Sequence, residues 1–156
     1  MWGQDTLAFV SGRVEGENPV MLVVQRQMGM SQRLMEVQVR GDYRESLTVK
    51  EPMIVSISLG RQNVSNTVFV TPGAKIEVDL TREDKFGGTH AGINNLLLRL
   101  FTRVCQPKTS GLKEYSRAYA EALFFAYQGR VERIETSGLS PEEQKVVKGY
   151  AQFQLL

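Results

Sequence analysis

Residues 33–49 read RLMEVQVRGDYRESLTV, and this stretch decides the fold class. Met35, Val37, Val39, Tyr43, Leu47 and Val49 share odd parity, so a backbone of period two turns them all to one face. Glu36, Gln38, Arg44 and Thr48 then point the other way. Gly41-Asp42 marks the turn at which this stretch is expected to close as a hairpin.

The same alternation extends outward in both directions. Upstream, LAFVSGRVEG (7–16) forms a strand, and Gly12 inside it signals a bulge or a close backbone approach. Next, VMLVVQRQ (20–27) is a near-continuous apolar run that suits a strand covered on both faces. Downstream, EPMIVSISLG (51–60) starts after Pro52, where a missing backbone donor is tolerated. NTVFVTPGAKIEVDL (66–80) is expected to form a second hairpin, its Pro72-Gly73 fitting a type II turn. These segments give about six to seven antiparallel strands.

After TREDKFGG (81–88) the period changes from two to 3.6. Thr89 or Asn94 is expected to cap a first helix whose apolar face carries Leu96, Leu97, Leu100, Phe101 and Val104. Pro107 ends it, and a second helix is expected over Leu112–Thr136. Ser140, Pro141 and Glu143 carry the signature of a capping box with proline at the first helical position, starting a third helix. The fold class is therefore α+β, with strands over 1–86 and about three helices over 87–156. The helices are expected to pack on the strands as one structural unit.

Composition narrows the function classes. The chain has 156 residues, 19 basic and 17 acidic side chains and a formal net charge of +2, far from the concentrated positive field of a nucleic-acid binder. No apolar run is long enough for a transmembrane segment. A single cysteine, Cys105, forms no internal disulfide and lacks the second member of a C-x-x-C pair, so it reads as buried packing. His90 is the sole histidine. No acid or nucleophile stands at recognisable spacing from it, so it reads as a loop residue beside a helix start. The glycine-rich FGGTHAG (86–92) lacks both the P-loop ending and dinucleotide-site spacing. Glu83-Asp84 and Glu142-Glu143 read as solvation and helix-dipole matching. No catalytic, cofactor-binding or metal-ligating set follows from these residues.

The second helix is the more informative segment. Its apolar residues spread over roughly 200°, about twice the width that a surface helix needs. Two accounts stay open: burial between sheet and neighbouring helices, or an interaction surface comprising Phe124, Tyr127 and Val131.

Several stretches carry a family resemblance in their order: FVSGRVEG, RGDYRESLTVKEP, VFVTPGAKIEVDL and KFGGTHAGINNLL. Together they resemble the N-terminal domain that precedes the thioredoxin-like domain in TlpA/ResA-like envelope thiol-disulfide proteins of Bacteroidota, the DUF4369-like group. The match spans residues 7 to 100, while the later helices agree in kind only. Arg40 departs from the family by replacing an acidic residue before the hairpin glycine. The resemblance implies an antiparallel β-sandwich with an appended helical segment, located in the periplasm or cell envelope after export. It implies a non-enzymatic accessory domain that positions or dimerises a redox domain absent from this chain. The partner is then a thioredoxin-like domain in cis or another subunit, a homodimer included. The full-length protein would be the thiol-disulfide oxidoreductase, and no catalytic cysteine carries over to this chain. The alternative is a stand-alone envelope β-sandwich module binding a glycan, lipid or peptide, with Trp2 and Tyr43 as aromatic contacts. Against those roles stand a loose terminus for Trp2 and hairpin packing for Tyr43.

Overall fold

The chain does not turn back on itself at Gly41. The computed structural model describes residues 7–27, 32–60, 62–102 and 107–153, and among these it shows eight strands and three helices. They are β1 (Leu7–Val14), β2 (Val20–Arg26), β3 (Gln32–Val39), β4 (Gly41–Thr48), β5 (Met53–Leu59), β6 (Gln62–Val70), β7 (Lys75–Val78), β8 (Phe86–Gly88), α1 (Ala91–Thr102), α2 (Arg117–Glu135) and α3 (Pro141–Phe153). β3 pairs with β2 in one sheet, order β3-β2-β5-β6, while β4 pairs with β1 in the other, order β4-β1-β7-β8. The expected hairpin is thus a crossover between sheets, turned at exposed Arg40 and at Gly41, whose φ of 57° suits glycine.

Side-chain size accounts for this pairing. In the β1–β4 register Ala8 faces Leu47 and Gly12 faces Tyr43, so the large inward residues of one strand sit over the smallest of the other. The register runs unbroken through Gly12, which resolves its role as close approach and not bulge.

The second expected hairpin is corrected in the same way. Ala74 N–H donates to Thr71 O at 3.1 Å and Gly73 has φ 81°, as a type II turn requires. However, Gly73 N–H donates to Leu7 O and Phe9 N–H to Ala74 O, which ties the turn to β1. β7 therefore lies parallel to β1 instead of returning along β6. β8 was not foreseen because two glycines in three residues read as a breaker. A Cβ at Gly88 would collide with the Lys75 carbonyl, so the pairing with β7 itself demands glycine there.

The two mostly antiparallel sheets form a sandwich-like arrangement with a shared core. Ala8, Val10 and Ile76 from one sheet and Leu22, Val24, Val55 and Ile57 from the other belong to a single buried cluster. Each Val, Leu or Ile among them contributes about 1.5–3 kcal/mol on full burial. β5 carries the both-face burial expected of 20–27: Met53, Ile54 and Val55 are all buried, whereas β2 alternates.

The chain divides into two compact units, 1–98 and 99–156, with α1 beginning in the first. Neither expected cap of α1 holds. The first helical bond runs from Asn94 N–H to His90 O, Thr89 bonds Lys75 instead, and Asn94 is buried inside the helix. Asn94 accepts from Phe69 N–H (2.7 Å) and donates to Phe69 O (3.3 Å). Asn95 does the same with Phe86, at 3.0 and 2.8 Å. Of the expected apolar face Leu97 is buried and Leu96 half-buried, while Val104 and the side chains of Leu100 and Phe101 lie outside the described residues.

In the second unit α2 and α3 pack on each other. α2 starts five residues later than expected. Tyr115 has φ 63°, which breaks any helix from Leu112, and Ser116 caps by accepting from Tyr119 N–H at 3.2 Å. The capping box of α3 forms as read: Ser140 N–H donates to Glu143 Oε2 (3.1 Å) and Glu143 N–H to Ser140 Oγ (3.2 Å). Among the described residues no helix is long and apolar enough to cross a membrane.

Candidate functional site

On α2 the buried positions are Ala126, Arg130 and Ile134, spaced four apart along one stripe. At 100° per residue Tyr127 lies roughly 20° past Ile134, Val131 about 40° further, Phe124 about 20° beyond that, and Phe125 about 100° beyond Phe124. Exposure follows this order. Tyr127 and Val131 are half-buried, Phe124 is 60% exposed and Phe125 is 78% exposed. The helix thus brings Phe124, Tyr127 and Val131 onto neighbouring rows, and it adds Phe125, which sequence reasoning left out. The Phe-Phe doublet was the available signal, because adjacent helical residues cannot share one narrow buried stripe. Leu112, the expected first residue of this helix, lies in the turn before it.

His90 braces the start of α1. Its Nε2 lies 2.7 Å from Thr71 Oγ1 and its ring stands edge-on to Phe69 at 5.0 Å. Of the glycines before it, Gly88 serves strand pairing, since a Cβ there would collide with the Lys75 carbonyl. Trp2 and Cys105 lie outside the described residues.

Tyr43 is neither a surface contact nor hairpin packing. Only 8% exposed, it lies across Gly12 on the inner face, and a Cβ at Gly12 would sit 2.7 Å from its Oη and 2.7 Å from Val78 O. The ring therefore reaches from β4 over β1 toward β7. Its hydroxyl is buried and makes no hydrogen bond among the described residues. Burial pushes the phenol up from its ordinary 10.0 to about 12, because the phenolate would lose hydration without a compensating charge.

Around this ring the first unit opens into a cleft of about 980 Å³. Gly12 and Val14 at the end of β1, Val20 at the start of β2, Leu59-Gly60 at the end of β5, and Val78 to Thr81 from the end of β7 onward line it, together with Tyr43. Four carboxylates, Glu15, Asp42, Glu77 and Asp79, and one guanidinium, Arg13, share that lining. Arg13 Nε lies 3.9 Å from Asp42 Oδ1. Asp79 Oδ1 accepts from Thr81 Oγ1 (2.6 Å) and Thr81 N–H (3.0 Å), and these bonds hold its carboxyl below the usual carboxylate range. Chemically, the arrangement offers apolar walls and negative charge at the mouth, with the Tyr43 hydroxyl buried beneath them. Among the described residues no three His, Cys, Asp or Glu side chains group as a metal site. No protein-family model, curated protein or solved structure matches the chain.

Proposed function

We propose that the chain is a non-enzymatic accessory domain of an envelope thiol-disulfide protein. In this reading it works in the periplasm or cell envelope, positioning or dimerising a thioredoxin-like domain carried in cis or by another subunit. The observation that supports an interaction role is the exposed aromatic pair Phe124 and Phe125, flanked by half-buried Tyr127 and Val131. Apolar surface displayed in this way marks contact sites, and aromatic rings are the anchors on which interfaces concentrate their energy. The ordered resemblance of residues 7–100 supports the kind of partner.

The test begins with the native protein from its source cells, detected with an antibody against this chain and weighed intact. A species heavier by a domain of about 100–150 residues is expected. In that species Phe124→Ser with Phe125→Ser should leave the far-ultraviolet spectrum unchanged and abolish dimer sedimentation or domain docking. A native species of this chain's own mass, monomeric with and without the substitutions, overturns the reading.

A further inference from the structure

The exposed face of α2 carries charges placed symmetrically about its phenylalanine doublet. With Arg117 as zero and 100° per residue, Gln128, Glu121, Glu132 and Phe125 follow at about 20°, 40°, 60° and 80°, and Phe124 lies about 20° to the other side. All six are exposed, and they run along most of the helix. A two-fold axis between Phe124 and Phe125 would bring a second copy of α2 antiparallel to the first. Phe124 then stands opposite Phe125 of the second copy, Glu121 opposite Gln128, and Arg117 opposite Glu132. Other arrangements are opposed by charge. A parallel pair sets Arg117, Glu121 and Glu132 each against itself. Sliding the antiparallel pair by four residues sets Glu121 against Glu132 in one direction and against Phe124 in the other. The end charges are also free to pair. Glu132 holds no ion pair among the described residues, and Arg117, 3.0 Å from Glu121, keeps a side chain 93% exposed with guanidinium donors to spare.

We infer that the α2 face docks a second copy of this chain, the two helices packing antiparallel about an axis between Phe124 and Phe125 with an Arg117 to Glu132 ion pair at either end. A closed, self-complementary contact of this kind is the commonest route to a homodimer. The inference rests on the proposed reading of α2 as an interaction surface and names what occupies it. A buried phenylalanine withdraws about 150–250 Å², so at their present exposure the four rings of the pair withdraw about 400–700 Å² from water. That is less than the roughly 1,200 Å² of a standard interface, which makes the pairing weak and concentration-dependent.

The test is sedimentation equilibrium of the full chain over about 5–500 µM, the range that suits so small an interface. The mean mass should rise from one chain toward two. Phe125→Ala should weaken self-association by about tenfold or more. Arg117→Glu and Glu132→Arg each turn both end pairs from attraction to repulsion, and each should weaken it by about fivefold or more. The double variant Arg117→Glu, Glu132→Arg again sets a cation opposite a carboxylate at both ends, and should recover wild-type association to within about threefold. All four variants should keep the far-ultraviolet spectrum of the wild type, since every substituted side chain is exposed. A chain that stays monomeric throughout overturns the inference; if it still docks a thioredoxin-like domain through Phe124 and Phe125, the interaction surface itself stands. Single charge variants that associate like wild type, or a double variant that does not recover, overturn the antiparallel pairing. The expected pattern in a protein that neither carries nor binds a thioredoxin-like domain supports the inference while the redox-accessory role falls.

Discussion

Gly12→Ala tests the arrangement at the sandwich end most directly. The new Cβ would lie 2.7 Å from Val78 O, 2.7 Å from Tyr43 Oη and 3.0 Å from Tyr43 Cζ, where ordinary contact starts near 3.4 Å. The two oxygens differ in how they can respond. Tyr43 is on an edge strand and its ring can lean away, but Val78 O belongs to β7, which is held between β1 and β8. Moving that carbonyl shifts the parallel β1–β7 pairing. Overpacking of this kind costs about 1–3 kcal/mol, and alanine recovers about 0.5–1 kcal/mol through its lower chain entropy. The net expectation is a loss of about 1–2 kcal/mol, or a Tm lower by about 2–8 °C for a chain of this size.

The assay is urea and thermal unfolding of four proteins: wild type, Gly12→Ala, Tyr43→Phe and the double variant. Removing Oη clears one of the two 2.7 Å collisions and leaves the one with Val78 O, together with the tighter-than-ordinary 3.0 Å approach to Tyr43 Cζ. Gly12→Ala should therefore cost about 0.5–1 kcal/mol less when Tyr43→Phe is already present. A Gly12→Ala protein as stable as wild type, or an equal cost with and without Tyr43→Phe, refutes the placement of the Tyr43 ring over Gly12.

Four further outcomes rest on the same structure. Tyr43→Phe should be neutral or stabilising near pH 7, because it removes a buried hydroxyl that makes no bond. The wild-type phenol stays protonated until about 12 while the unfolded chain ionises near 10.0, so the folded state binds more protons and loses stability as pH rises through that window. Stability against pH, measured alongside Tyr43→Phe, should show an excess wild-type loss of roughly 1–2 kcal/mol after solvent screening is allowed for. Asn94→Ala should cost about 2–4 kcal/mol in denaturant unfolding, since it strips partners from the buried N–H and C=O of Phe69 at once. Ser140→Ala should cost about 1 kcal/mol and increase amide exchange in the first turn of α3, and Ser140→Asp should restore most of it.

Which parts of this molecule were legible depends on the range of the forces involved. The α3 capping box was readable because its bonds close within four residues, Ser140 to Glu143. The inward face of 33–49 was readable for a similar reason: Val39, Tyr43, Leu47 and Val49 are all buried, whichever strand they pair with. Pairing itself was not, because alternation is the same for a hairpin and for a crossover between sheets. Only the fit of Leu47 on Ala8 and of Tyr43 on Gly12, across more than thirty residues of chain, selects the crossover. The cleft was illegible for the same reason, being assembled from the ends of β1, β5 and β7 and the start of β2. Gly12 gave the one local hint, a glycine within a strand, without saying what approaches it. The Asn94-Asn95 pair gave the wrong one: asparagine before a helix reads as a cap, and nothing local shows that both amides are buried against strands.

Those two amides have a consequence for how the domain meets partners. A side-chain amide offers an N–H donor group beside a carbonyl acceptor, as a strand residue does, and consecutive helical positions aim about 100° apart. Asn94 therefore engages Phe69 on β6 while Asn95 engages Phe86 on β8, the edge strands of the two different sheets. α1 occupies backbone groups on both edges that another chain would otherwise pair with. The opposite edges, β3 and β4, are guarded by charge: Arg33 and Glu36 on one, joined at 2.7 Å, and Asp42, Arg44 and Glu45 on the other. Strand addition is thus opposed at Phe69 and Phe86 by the amides and along β3 and β4 by charge. A partner is then met by side chains, and the proposed contact through the aromatic rings on α2 is of that kind. A backbone-directed partner would instead have to displace Asn94 or Asn95, and its binding would be strengthened, not lost, in Asn94→Ala.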